Sequence, residues 1–179
     1  MLKSVFLSIL GCAFLQFTAF CQEMDTDAKR SGLKKNAVYL TGGSVLAYGA
    51  AEGNYERLLG ESARGFLSSY WVRAGYGVWY NWEDSGNLFV IGLSALTGRK
   101  KSHAEFNIGF TTKYDPDSYD IGVNNAQLSG EQLPSKSEYR ENQMAGSIGY
   151  RFQKPGGHFI FRTGIGYPES LYISLGFCF

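Results

Sequence analysis

The sequence is poor in proline and cysteine, with 4 and 3 residues among 179. Its charges nearly cancel, because 17 Lys and Arg stand against 16 Asp and Glu. A chain without a basic excess has little attraction for a polyanion, so the composition excludes nucleic acid as a partner. Glycine is abundant instead, at 23 residues, and aromatic side chains make up 16%. This mixture favours a barrel of many strands over a helical fold.

A cleavable signal peptide is predicted at residues 1–21. Lys3 supplies the positive start, and an apolar stretch over 5–20 ends in the small-residue pattern Ala19-Phe20-Cys21. The mature chain would then begin at Gln22. Two alternatives stay open: a single spanning helix, for which the stretch is short, and a lipoprotein attached through Cys21, for which Phe20 stands where a small residue is usual.

Cleavage would leave Cys178 as the only cysteine. It would also remove Lys3, so that the mature chain would have 16 basic and 16 acidic residues. A lone cysteine cannot form a disulfide or a cysteine metal site within one chain. The mature chain would have no net charge. No cofactor or metal is predicted elsewhere in the chain either.

Alternation with period two is the main structural signal. In the last segment the apolar residues Leu171, Ile173, Leu175 and Phe177 share one face, opposite small and polar residues. Similar alternation, or an apolar run bounded by turn residues, predicts eight strands: 36–41, 45–57, 66–80, 87–97, 102–114, 142–153, 158–167 and 170–179. The predicted fold is all-β, a transmembrane antiparallel up-and-down barrel spanning 36–179, and segment 22–35 is expected to be a flexible periplasmic lead.

The first hairpin is the weak point of this topology. A turn at Gly42-Gly43 would separate two strands, but 36–57 could also form one long strand kinked at these glycines. An even number of strands places both chain termini of the barrel in the periplasm. By the same parity the longest connection, 115–141, faces outside and is a candidate site for an extracellular ligand.

Side-chain volume suggests which face lines the interior. The polar face carries glycine, serine and isolated charges, which suits a narrow lumen, whereas the aromatic face suits lipid. Four charged residues on the polar face predict a lumen charge network: Arg73, Glu105, Arg151 and Arg162. The alternative is a soluble periplasmic barrel whose polar face meets water and whose apolar face lines an interior that binds a small apolar ligand.

Catalytic and metal sites have weaker signals. A lipid-modifying enzyme would use His103 or His158, but Ser102 and His103 are neighbours in a strand and face opposite sides. The acidic sequence 115–120 has oxygen ligands for a hard cation such as calcium, yet it lacks the features of a calcium-binding loop. We therefore predict a structural or interaction protein that is not an enzyme.

Several short motifs resemble a family of small outer-membrane barrels of Bacteroidetes whose activity is not agreed. They are Asn54-Tyr55-Glu56-Arg57, the segment 96–105, Gly149-Tyr150-Arg151-Phe152 and the segment 175–179. The resemblance implies an eight-stranded barrel in the bacterial outer membrane, in contact with its lipids. Phe177 and Phe179 are similar to the carboxyl-terminal signal that the barrel-assembly machinery recognises.

Overall fold

A computed structural model describes residues 32–46, 48–62 and 65–179. Within them the chain forms strands and one helix, α1, which lies between β5 and β6. In chain order the elements are β1 (Asn36–Val45), β2 (Tyr48–Glu61), β3 (Leu67–Tyr80), β4 (Ser85–Thr97), β5 (Ser102–Tyr114), α1 (Pro116–Ser129), β6 (Arg140–Gln153), β7 (Phe159–Tyr167) and β8 (Ser170–Cys178). Each strand pairs antiparallel with the next, and β1 pairs with β8 to close the barrel. The predicted all-β, eight-stranded, up-and-down barrel is confirmed.

The two ends of the barrel differ in their connections. The end that carries α1 is called the helix end, and it also carries the connections β1–β2, β3–β4 and β7–β8. The other end, called the lower end, carries the connections 62–66, 98–101 and 154–158. At the lower end Asn36 and Phe179 exchange two backbone hydrogen bonds of 3.0 and 2.9 Å, which extend the seam between β1 and β8.

The first hairpin turns later than predicted. β1 continues through both glycines, and the chain turns at Leu46, whose φ is 51°. The predicted turn at Gly42-Gly43 is therefore wrong, and the alternative of one continuous strand is wrong too. Gly43 serves a close approach instead, since a Cβ there would lie 2.0 Å from the carbonyl oxygen of Glu169.

The connection predicted at 115–141 contains α1. The carboxylate of Asp115 caps the helix by accepting a hydrogen bond from the Ser118 backbone N–H at 3.1 Å, and Pro116 occupies the first turn. Gly130 ends the helix in the left-handed conformation, with φ 72°. In the part of the chain that the structure describes, no helix has the length and apolar character to span a membrane.

The residues just ahead of β1 close the lower end. Leu33 is 7% exposed and packs with Trp71 and Leu96, which are fully buried. The carbonyl of Gly32 accepts a hydrogen bond from the Gly156 backbone N–H at 2.8 Å. This segment therefore covers the mouth of the barrel rather than leaving it open.

The predicted flexible lead, 22–35, ends in these packed residues. Its mobility stays a prediction. The predicted signal peptide, 1–21, and the remainder of the lead, 22–31, lie outside the described residues.

Alternation separates an inner face from an outer one on each strand. On β8, Tyr172 and Ser174 are 2% and 1% exposed, whereas Ile173 and Leu175 are 57% and 53% exposed. The buried interior is largely polar at mid-height and apolar near both ends. The large apolar side chains of the other face lie on the outside of the barrel.

Candidate functional site

The four residues of the predicted lumen charge network all lie inside the barrel. Glu105 and Arg151 are 0% exposed, Arg162 is 1% exposed and Arg73 is 4% exposed. Three of them meet near the lower end, because β5 pairs with β6 and β6 with β7, which sets Arg151 opposite Arg162. Arg73, on β3, lies in a second group closer to the helix end.

The strongest contact near the lower end is a forked pair between Arg162 and Glu105. Nε of Arg162 donates to Oε2 of Glu105 at 2.9 Å, and Nη2 donates to Oε1 at 2.7 Å. Two parallel hydrogen bonds fix both side chains in one geometry, which is how a buried carboxylate is best compensated.

Glu56 completes this group, although it was not among the residues predicted to face the lumen. Its Oε2 accepts from Nη1 of Arg151 at 2.6 Å, and its Oε1 accepts from the Tyr39 hydroxyl at 2.6 Å. The signal was present in the sequence, because Glu52 and Glu56 alternate with the outward Tyr55. We call Glu56, Glu105, Arg151 and Arg162 the four-residue cluster, in which two carboxylates balance two guanidinium groups.

Aromatic rings cover the guanidinium groups of this cluster. The Arg151 guanidinium lies 4.5 Å from the centroid of Trp71, and that of Arg162 lies 4.4 Å from the centroid of Tyr39. Such contacts stabilise a cation that has left water. The cluster is therefore closed by packing as well as by charge.

A second group, which we call the three-residue cluster, joins Arg73 to Glu52 and Glu169. Nη2 of Arg73 lies 2.6 Å from Oε1 of Glu52 and 2.5 Å from Oε1 of Glu169. Nε of Arg73 donates to Asn54 at 2.7 Å. One guanidinium thus serves two carboxylates, so the cluster carries an excess negative charge when both are ionised.

Glu169 reaches this cluster from the tight turn between β7 and β8. Burial alone would raise the pKa of its carboxyl group, but the adjacent Arg73 guanidinium and the hydrogen bonds to the carboxylate hold that pKa at about 2, below its ordinary 4.5. Glu169 was not predicted, because a turn residue has no alternation by which to place its side chain.

Above this cluster, three aromatic rings surround the ammonium group of Lys113. The Nζ atom lies 4.4 Å from the ring centroid of Tyr48, 4.9 Å from that of Tyr167 and 5.2 Å from that of Trp79. We call Tyr48, Trp79 and Tyr167 the aromatic cage. The cage was not predicted, because aromatic residues were expected on the outer face.

The candidate catalytic histidines lie at the lower end and contact backbone carbonyl groups. His103 is 2% exposed, with Nδ1 2.7 Å from the Thr97 oxygen. Nδ1 of His158 lies 3.0 Å from the Cys178 oxygen. Ser102, on the outer face, is 2.9 Å from the Tyr150 hydroxyl. Ser102 and His103 therefore face opposite sides of the sheet and are not brought together.

The acidic sequence at 115–120 has its first carboxylate engaged in capping α1. Besides the backbone contact, Oδ2 of Asp115 accepts a hydrogen bond from the Ser118 hydroxyl at 2.6 Å. Across the described residues, no three His, Cys, Asp or Glu side chains are grouped as a metal site requires. Phe177 and Phe179, the predicted assembly signal, are 69% and 58% exposed on the outer face.

No protein-family model matches the chain, and no curated protein or solved structure does either. The resemblance to small outer-membrane barrels of Bacteroidetes therefore stays a prediction from short motifs.

Proposed function

We propose that the chain is an integral β-barrel of the bacterial outer membrane with a structural or interaction role rather than a catalytic one. One observation carries the proposal: each of the eight strands exposes large apolar side chains on the outside of the barrel. They include Val38, Leu40, Tyr55, Leu59, Tyr76, Val78, Phe89, Ile91, Leu93, Ile108, Phe110, Met144, Ile148, Phe159, Ile165, Leu171, Ile173 and Leu175.

Such a surface is costly in water. Exposed apolar area costs about 25 cal/mol per Å², and soluble monomers rarely expose continuous apolar patches beyond a few hundred Å². Ile108 and Phe110 are 60% and 63% exposed, as are Ile165 on β7 and Ile173 on β8 at 63% and 57%. Lipid removes this cost on every side of the barrel at once, whereas a single partner protein would cover one side.

The interior argues against the soluble alternative. A barrel that binds a small apolar ligand needs an apolar cavity, whereas the lower half of the interior here holds Glu56, Arg151 and Arg162 at 0 to 1% exposure. Strand length also suits a membrane, since tilted spanning strands need about 9–11 residues. The strands here have between 9 and 14 residues.

Orientation follows from the connections. In this proposal the lower end faces the periplasm, since short turns lie there in outer-membrane barrels and longer loops face outside. The helix end, with α1, then faces the exterior. A signal peptide at 1–21 would deliver the chain, and the assembly machinery would recognise Phe177 and Phe179.

The filled interior favours a structural or interaction role over conduction. An eight-stranded barrel has room for its own side chains and little more, and the two charged clusters occupy that room. Contact with another molecule would then take place at the exterior loops, where α1 exposes Ile121 and Leu128 at 61% and 87%.

Fractionation of cell membranes tests the location. We expect the protein to stay in the outer-membrane fraction through carbonate and high salt and to be released by detergent. Release by carbonate alone would contradict the proposal and favour the soluble barrel.

Depth-dependent substitution tests which face meets lipid. Ile108 lies at the middle of β5 and Ala104 near its lower end, both pointing outward. In lipid vesicles Ile108→Arg should cost about 2–4 kcal/mol of unfolding free energy beyond Ile108→Ala, and Ala104→Arg about 0–1 kcal/mol. Equal costs at the two heights would contradict a lipid-facing surface.

A further inference from the structure

The aromatic cage holds a cation at the mouth of the barrel. Three rings come within about 6 Å of one ammonium nitrogen, the range in which the face of a ring attracts a cation. The rings of Tyr48 and Tyr167 are near parallel, at 19°, with centroids 6.4 Å apart. Trp79, 8% exposed, forms the third wall.

The cage closes toward the interior and opens toward the helix end. Apolar residues back the Trp79 ring on the inner side: Ala50, Leu88, Val90 and Ala145. Tyr48, Lys113 and Tyr167 are only half-buried. A small molecule arriving from the helix end could therefore reach the rings but would not pass through the barrel.

Lys113 is a poor match for this environment. A primary ammonium has three hydrogen-bond donors and is strongly hydrated. The Nζ atom of Lys113 lies near three rings, and no residue that the structure describes forms a hydrogen bond with it. A trimethylammonium group has no N–H donors to satisfy and loses less hydration when it enters an aromatic site.

The surroundings add two features that favour a cationic ligand carrying an oxygen. Glu141 is paired with Lys113 across β5 and β6, which places a carboxylate on the strand next to the cage. The Tyr48 hydroxyl and the Trp79 indole N–H are buried without a hydrogen-bond partner among the described residues. Either donor suits an oxygen acceptor near the cation.

We propose that the aromatic cage binds a trimethylammonium group, and that Lys113 occupies the cage when this ligand is absent. The ligand enters from the helix end and displaces the Lys113 side chain toward solvent and Glu141. This site is independent of the role proposed above, because it depends on the barrel mouth and not on what surrounds the barrel.

Choline titration of the purified full chain tests the proposal. The protein is held in maltoside micelles, which contain no choline headgroup, and the indole ¹H–¹⁵N resonance of Trp79 is followed. We expect choline to shift this resonance, and Lys113→Met to tighten binding by about tenfold because the internal competitor is gone. 3,3-Dimethyl-1-butanol, the neutral analogue of choline, should not shift it.

Substitutions of Tyr48 distinguish choline binding by the aromatic cage from a general electrostatic attraction. Tyr48→Leu in the Lys113→Met background should weaken choline binding by about tenfold, since one aromatic wall is lost. Tyr48→Phe keeps the wall and should retain most of the affinity. Each variant must first show the mobility difference between unboiled and boiled samples that a folded barrel gives.

The same resonance distinguishes the source of the ligand. A shift with free choline supports a soluble compound, and a shift only with phosphatidylcholine added to the micelles supports a lipid headgroup; both support the cage. Three results would overturn the proposal: no shift with either probe in Lys113→Met, equal shifts with the neutral analogue, or choline affinity unchanged by Tyr48→Leu.

Discussion

The two charged clusters inside the barrel differ in how their carboxylates and guanidinium groups are matched. In the four-residue cluster two carboxylates balance two guanidinium groups, and Glu105 and Arg162 form two parallel hydrogen bonds. In the three-residue cluster Arg73 is shared by two carboxylates, and one of them comes from a turn. One group matches its charged side chains in number within the strands, whereas the other shares one guanidinium between a strand carboxylate and a turn carboxylate.

Because of this difference, we expect the two clusters to respond differently when one member is removed. A balanced, fully buried network tolerates no loss of a member, because the remaining charge has no access to water. We therefore expect the four-residue cluster, in the lower half of the interior, to stabilise the barrel. The ligand site that we propose lies at the helix end.

The largest effect is expected from breaking the four-residue cluster. Arg162→Met should lower the unfolding free energy by about 3–5 kcal/mol, because Glu105 is left buried without its main partner. The double variant Glu105→Gln, Arg162→Met should recover part of this loss, since the pair of Glu56 and Arg151 stays intact. Urea unfolding in lipid vesicles measures both.

Arg57→Met is the matched control, because Arg57 lies exposed on β2 next to Glu56. It should change stability by less than about 0.5 kcal/mol. If Arg162→Met cost no more than Arg57→Met, the cluster would not be a structural element.

A smaller effect with a defined pH dependence is expected at Glu169. Its pKa lies below that of an unfolded chain, so the stability it contributes is present above about pH 4.5 and is lost as the pH falls through about 2. Glu169→Gln should therefore cost about 1–3 kcal/mol at pH 7. The difference in unfolding free energy between this variant and the unmodified chain should narrow as the pH falls from 4.5 to 2.

Unfolding free energies measured from pH 7 to pH 2 provide the comparison. Glu131→Gln, an exposed carboxylate after α1, should show no such narrowing. A gap for Glu169→Gln that is independent of pH would mean that Arg73 does not depress the pKa of this carboxyl group.

The smallest effect on stability is expected for Lys113→Met. Lys113 is half-buried, so loss of the contacts with three rings should cost less than about 1 kcal/mol. Lys136→Met serves as the control, because that ammonium lies over one ring, Tyr119, at 5.4 Å. A loss at Lys113 as large as that at Arg162 would show that the helix end is as structural as the lower end.

Strand alternation predicted much of the architecture. Period two on β5 and β8 identified the inner and outer faces, and the predicted bounds of β5, 102–114, agree with the structure. The first turn could not be placed in this way. Gly42 and Gly43 read as turn residues, whereas Gly43 is a glycine because the backbone of the β7–β8 turn approaches it.

The site was predictable only where a residue lies within a regular strand. Arg151 and Arg162 were found by alternation, and Glu56 could have been. Glu169 lies in a turn, and Tyr48 and Trp79 are aromatic residues on the inner face, where polar ones were expected. Those positions depend on how distant strands meet at the helix end, which local periodicity does not contain.

The most direct test of the account is refolding of the purified chain from urea, into buffer alone and into lipid vesicles. Gel mobility of unboiled and boiled samples reports whether a closed barrel has formed. The account predicts a mobility shift only with lipid, because the outer face is apolar on every strand. A soluble, monomeric barrel that forms in buffer alone would contradict it.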